Sequence, residues 1–287
     1  MPSSIRSIVV HVDGTARCAA RLHIATSLGL AHEAEVLGVY AARPSMADIP
    51  LGYTAASAAY AGQMLRDLDY ERRNRAQAAF AAAMREPGRT ARWVELPPQD
   101  MLNAFARRCL TADLVVLGQY DPSDAYGFGV PPDFVEAEVV GTGKPVLVIP
   151  YAGDFEETAS VKRALVAWKP TRESARALAA ALPLLRQATN VQILRAIEPD
   201  ADRDDSAADA TPEAYLRRHG VTAAIDTKTT VGTGAQIGEA LLSAAADASA
   251  QLLVMGCYGH ARAREWLLGG ASRTVLRSMT VPVLMVH

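Results

Sequence analysis

The sequence predicts an α/β protein built from two tandem, open, five-stranded parallel-sheet domains of Rossmann-like type. Three observations carry this reading. Short β-branched runs alternate with helical periodicity along the chain, which implies parallel strands joined by crossover helices. Three sequence anchors recur in the same order about one domain length apart. Half of the 287 residues are apolar but only 6% are aromatic, a composition that suits a helix-rich soluble fold.

The anchors define a duplication. Arg6-Ser-Ile-Val-Val-His-Val-Asp13-Gly-Thr15 matches Lys162-Arg-Ala-Leu-Val-Ala-Trp-Lys169-Pro-Thr171 at an offset of 156. Asp113-Leu-Val-Val-Leu-Gly118 matches Gln251-Leu-Leu-Val-Met-Gly256 at an offset of 138. Lys144-Pro-Val-Leu-Val-Ile149 matches Val281-Pro-Val-Leu-Met-Val286 at an offset of 137. A period of this length is domain duplication, not a solenoid. The domains are expected over 1–152 and 158–287, with the join where Ala152-Gly-Asp-Phe-Glu-Glu-Thr158 breaks the apolar pattern. The drop in offset places extra residues in the first copy, assigned to the Ala/Gly/Ser-rich stretch Met46–Gly62.

Each element follows from local pattern. In the first copy, strands are expected near 5–12, 35–41, 91–96, 113–118 and 145–149, where β-branched runs are bounded by turn residues. Helical periodicity spans Leu65–Arg85 and Gln99–Leu110. In the second copy, strands are expected near 161–168, 191–197, 223–231, 251–256 and 282–286, with helices over Thr171–Arg186 and Ala235–Ala248. Pro199–Ala210 has five Asp and no large apolar residue, and reads as a mobile loop. Ligands of such sheets bind at the carboxyl ends of the strands, where strand order reverses.

Charge and cysteine usage exclude several function classes. A net charge of −2 offers no attraction for nucleic acid or membrane. The three cysteines, Cys18, Cys109 and Cys257, are odd in number and widely spaced, so a reducing compartment is expected and no disulfide framework. The amino terminus enters a strand directly, and no run of 18 apolar residues occurs. The expectation is a cytoplasmic protein. The six histidines show no metal-ligand spacing, and no metal site is expected.

The last 36 residues hold the chemistry. Gly256-Cys-Tyr-Gly259 follows an apolar strand, and Gly269-Gly270-Ala271-Ser272 opens a helix before the final strand. Glycines at a strand end let backbone N–H groups approach an anion, and a helix start adds its positive dipole end. That is the construction of a phosphate cradle. The same glycines also serve as the turns by which this fold passes from strand to helix.

With Gly256-x2-Gly259-x9-Gly269 between two apolar strands, the chain resembles the universal stress protein family over both copies, in its tandem bacterial form. The resemblance implies an adenine nucleotide alpha hydrolase-like fold and binding of ATP or a related adenine nucleotide, with Mg accompanying it. It places phosphate at Gly256, Gly259, Gly269, Gly270, Ala271 and Ser272, and adenosine near Ala167, Trp168, Lys169 and Ile197. It also implies that the two fifth strands pair antiparallel as a pseudo-dimer within one chain, and it leaves room for a homodimer.

The second copy departs from the family pattern twice. Gly270 stands where a hydroxyl residue is usual, and Lys169 where an acid ends the first strand. The first copy keeps Asp13 but has Asp121 in place of the second glycine, a charge that repels phosphate. Individually, Trp168 suits either base stacking or a half-buried core, and Lys169 either a ligand contact or solvent. Asp13 suits a helix cap, and Cys257 either redox chemistry or an inert thiol. Gly232-Thr-Gly234-x3-Gly238 has the wrong spacing and strand for a dinucleotide fingerprint and reads as a strand-to-helix turn.

No paired carboxylates, Ser/His/Asp set or Walker-type lysine loop appears, so the expected role is nucleotide-sensing regulation without dedicated catalysis. A slow ATPase is the residual enzymatic reading. A nucleotide-independent interaction module with both sites degenerate is the alternative.

Overall fold

The computed structural model describes residues 5–43, 55–85, 87–88, 91–153, 155, 160–197, 211–257 and 270–287. Gly259, Gly269, the loop expected over 199–210 and positions 46–54 lie outside the described residues. By compactness the chain divides into Arg6–Thr142 on one side and Met1–Ile5 with Gly143–His287 on the other. The two are taken in turn.

In the first unit β1 (Ser7–Val12), β2 (Glu35–Tyr40), β3 (Arg92–Glu95) and β4 (Leu114–Gly118) run parallel in the order β3-β2-β1-β4. The chain therefore moves outward from β1 and then returns to its other side, so strand order reverses between β1 and β4. Five of the six β1 residues are buried, as expected of a strand with both faces covered. Helices α1 (Cys18–His32), α2 (Ala55–Ala83), α3 (Met101–Cys109) and α4 (Phe134–Thr142) make the connections. The first eight residues of α2, 55–62, lie within the stretch assigned the extra length, and they are helical.

The second unit orders its strands β5-β10-β9-β6-β7-β8. These are β5 (Val146–Ile149), β6 (Arg163–Trp168), β7 (Asn190–Ile197), β8 (Ala224–Val231), β9 (Leu252–Gly256) and β10 (Val283–Val286). β10, β9, β6, β7 and β8 are parallel, and the order reverses between β6 and β9. β5 joins β10 antiparallel, with Leu147 opposite Leu284. That ladder draws β5 into this unit and puts the division at Gly143. All ten expected strands form; eight contribute residues to a buried layer, while β3 and β8 have no buried residue.

Helix starts in this unit are set by side chains. Thr171 accepts from the Ser174 N–H (3.3 Å) ahead of α5 (Arg172–Leu185). Thr211 accepts from the Ala214 N–H (3.2 Å) ahead of α6 (Pro212–Arg218), with Pro212 at the first position. At α7 (Gly234–Asp247) the Gln236 Oε1 accepts from the Thr233 N–H at 2.9 Å. Each cap satisfies a donor that has no intrahelical partner.

The glycines 232, 234 and 238 form the expected strand-to-helix turn only in part. Gly234 and Gly238 lie four residues apart on one face of α7, and that face meets α8 (Gly270–Ser278). A Cβ on Gly234 would come within 3.0 Å of the Gly270 Cα, and one on Gly238 within 2.6 Å of the Thr274 Cβ. The spacing serves close helix packing.

Gly238→Ala is therefore expected to lower stability by about 1–3 kcal/mol, because α8 must back away from α7. Gly141→Ala is the control. Its Cβ would meet only the Ala106 Cβ at 3.7 Å, and a helical alanine should add up to about 1 kcal/mol. Urea unfolding of the two variants measures both signs.

Candidate functional site

The carboxyl edge of β6, β7 and β9 gathers the predicted residues that the structure describes. Trp168 ends β6 opposite Arg195 of β7, and Ile197 closes β7 beside Val231. Gly256 ends β9, two residues past the last β6–β9 pair, Val166 with Val254. Ala167, Trp168 and Lys169 are half-buried, and the Lys169 carbonyl accepts from the Thr171 N–H at 2.7 Å in the turn that starts α5. Parallel topology brings the amino ends of α5, α7 and α8 to this same edge. Gly270, Ala271 and Ser272 form the first turn of α8, with Gly270 exposed and Ser272 buried.

Two of these glycines have packing reasons of their own. A Cβ on Gly256 would run into the backbone of Glu173 and Ser174 in the first turn of α5. A Cβ on Gly270 would lie 3.0 Å from the Ala235 N and Gly234 C. The hydroxyl residue usual at 270 is thus replaced by the residue that lets α8 approach α7.

Glu173 was not singled out from the sequence. The acid missing at Lys169 has a neighbour one turn along, buried against Gly256. Burial works against its charge. The helix-start N–H, the Thr171 hydroxyl and Arg172 (3.3 Å) outweigh it and hold the carboxyl below its ordinary range. Its signal was available, since an acid in the first turn after a Thr cap is placed to accept backbone N–H groups.

Cys257 is buried beside this carboxylate. Its Sγ donates to the Val286 carbonyl at 3.3 Å. Burial and Glu173 push the thiol well above its ordinary value, so the thiolate needed for redox chemistry is suppressed.

The matching edge of the first unit is filled by its own side chains. Asp13 does not cap α1. Its Oδ1 accepts from the Thr15 N–H (3.0 Å) and ion-pairs with Arg21 Nη2 at 2.6 Å, both side chains buried. The Arg21 guanidinium lies on Gly118, the counterpart of Gly256, where a Cβ would strike Nη1. His11 completes the cluster, with Nε2–H donating to the Ala41 carbonyl (2.8 Å), Nδ1 3.5 Å from Asp13 and Phe105 and Phe134 around the ring.

Helix α2 lies across the same edge. The Arg72 backbone would be 2.9 Å from a Cβ on Gly14, and Arg75 Nε donates to the Gly14 carbonyl at 3.0 Å. The Arg75 guanidinium also sits 4.1 Å over the Tyr126 ring. Asp121, expected to repel phosphate, spends one carboxylate oxygen on the Ser123 N–H (2.8 Å) and hydroxyl (2.6 Å).

The cluster makes two outcomes measurable. Burial alone would raise the Asp13 carboxyl, but the Arg21 charge, then His11 and Thr15, hold it below its ordinary range. Arg21→Met strands that carboxylate and should cost about 3–5 kcal/mol in urea unfolding. Burial drives the His11 imidazole from 6.5 to about 4, with Asp13 opposing and Arg21 assisting. The unfolded chain therefore takes the proton first as pH falls. Through His11 alone, stability is expected to hold above about pH 6.5 and to fall by about 3 kcal/mol on the way to pH 4. His11→Gln should flatten that part of the pH–stability curve, and an unchanged slope would remove His11 as its source.

Among the described residues, no group of three or more His, Cys, Asp or Glu could hold a metal, and no helix is long and apolar enough to cross a membrane. Comparison with curated proteins finds no match. The fold is similar to that of a universal stress protein from Archaeoglobus fulgidus DSM 4304, with TM-score 0.65 and 14% identity over 99% of this chain and 96% of that one. It is also similar to a functionally unknown protein from Pseudomonas aeruginosa PAO1, with TM-score 0.58 and 14% identity over 98% and 92%. A putative universal stress protein from Pseudomonas aeruginosa UCBPP-PA14 gives TM-score 0.54 and 14% identity over 98% and 93%. Identities this low establish the fold alone. Residues 160–287 match the model of the Universal stress protein family, so the second repeat is a universal stress protein family domain.

Proposed function

We propose that this is a cytoplasmic stress-response protein whose second domain binds an adenine nucleotide such as ATP, with Mg, and acts as a sensor or regulator without dedicated catalysis. One observation carries the reading. The amino ends of α5, α7 and α8 collect at the carboxyl edge of β6, β7 and β9, the place where an anion gains from helix dipoles and free N–H groups. Phosphate is assigned to the N–H groups of 270–272 and the glycine loop, and adenosine to the ends of β6 and β7 near Trp168 and Ile197. The antiparallel β5–β10 ladder supports pairing of the two repeats through their fifth strands.

A second reading has its own observation. The Cβ side of Gly256 is closed by the first turn of α5, which carries the Glu173 carboxylate, and the Cβ side of Gly270 by α7. Glycines that packing already demands fit an interaction module that needs no nucleotide.

Titration calorimetry of the full chain with ATP separates the two. Binding that Gly259→Asp abolishes, and that Ser272→Ala weakens by about 0.5–1.5 kcal/mol, or up to about 3 if the hydroxyl meets charged phosphate, is the expected result. If the chain binds no ATP, and mass spectrometry finds no nucleotide co-purifying with it, the interaction module stands instead.

A further inference from the structure

We propose that β8 is a homodimerisation edge, through which two copies of this chain pair antiparallel about a two-fold axis at Thr227. Among the described residues β8 is the terminal strand of its sheet, and six of its eight residues are exposed. It runs in unbroken register with β7 from Ala224 to Val231, with no bulge and no proline. Long, straight, uncovered edges are unusual, since a free ladder recruits another strand.

The ladder shows which groups face outward. The Ala224 N–H donates to Thr189 and the Gly232 N–H to Ile197, both on the β7 side. Backbone groups alternate sides along a strand, so the even residues bond β7. Ile225, Thr227, Thr229 and Val231 then turn their N–H and C=O groups to the free edge.

An antiparallel partner must set these odd residues against one another. Centred on Thr227, the register opposes Thr227 to its own copy and Ile225 to Thr229. These three hydrogen-bonded pairs each exchange two backbone bonds. The same register opposes Asp226 to Lys228 of the other copy, twice, in the non-hydrogen-bonded positions where side chains approach most closely. Centring on Ile225 or Thr229 sets Asp226 against Ala224 or Gly232 and pairs no charges. A lysine alone on an edge strand discourages pairing. Here Asp226, on the same face two residues earlier, makes the edge complementary to itself. Val231, 61% exposed at the strand end, and the two threonines complete a β-branched strip suited to a sheet.

Sedimentation of the full chain tests this by charge exchange. The wild-type chain should be dimeric. Lys228→Asp and Asp226→Lys should each place like charges opposite one another and raise the dissociation constant about tenfold or more. Mixing the two variants restores both opposite pairs and should yield a heterodimer, and the double variant Asp226→Lys/Lys228→Asp should dimerise like wild type. Circular dichroism confirms that each variant is folded. A monomeric wild-type chain overturns the proposal, as does a dimer indifferent to both reversals or a mixture that fails to associate.

Discussion

The rest of the molecule depends on how closely the helix after the first strand of each repeat lies against the end of the fourth. Gly118 and Gly256 are the contact points. Over Gly118 sits the guanidinium of Arg21 from α1, and over Gly256 sits the first turn of α5. In each case the missing side chain is what lets the helix settle across the switch point of the sheet. The two repeats thus share a steric requirement while using the space above it differently. In the first it holds a buried ion pair, in the second a capped helix start.

That difference divides the repeats more sharply than their loop sequences do. The Asp13–Arg21 pair costs desolvation on both sides and is sustained by the hydrogen bonds and charges around it, so its edge is a finished interior. Helix α2, which has no comparably long counterpart among the described residues of the second repeat, extends that interior across Gly14. One oxygen of Asp121 at this edge is committed to a local turn with Ser123. Among the described residues the second repeat brings the capped starts of α5 and α7 and the first turn of α8 to the same place, and the family match falls on this repeat.

Much of this was legible in the sequence. Runs such as Ser7–Val12 and Leu252–Gly256 declare themselves as strands because burial on both faces demands continuous apolar, branched residues. Thr171 marks a helix start because a hydroxyl there satisfies a specific N–H. Tertiary contacts were not legible. Nothing near Arg21 announces that it folds inward onto a glycine almost a hundred positions away. Asp13 read as a cap because local chemistry favours that role, and the long-range ion pair won. Gly238 looked like part of a turn because its real partner, Thr274, lies on another helix. In the candidate site, strand ends and helix starts followed from the repeat. The packing duties of Gly256 and Gly270 emerged only once neighbouring backbones were placed.

The meeting of Gly234 with Gly270 has a consequence for substitution. Each residue occupies the space into which the other would grow a side chain, so substitutions at the two positions are not independent. A side chain at 270, a hydroxyl residue included, asks α7 to give by a few tenths of an ångström at 234, and the reverse holds for 234. The site's chemistry and the seam between two helices are thus tied to one pair of positions.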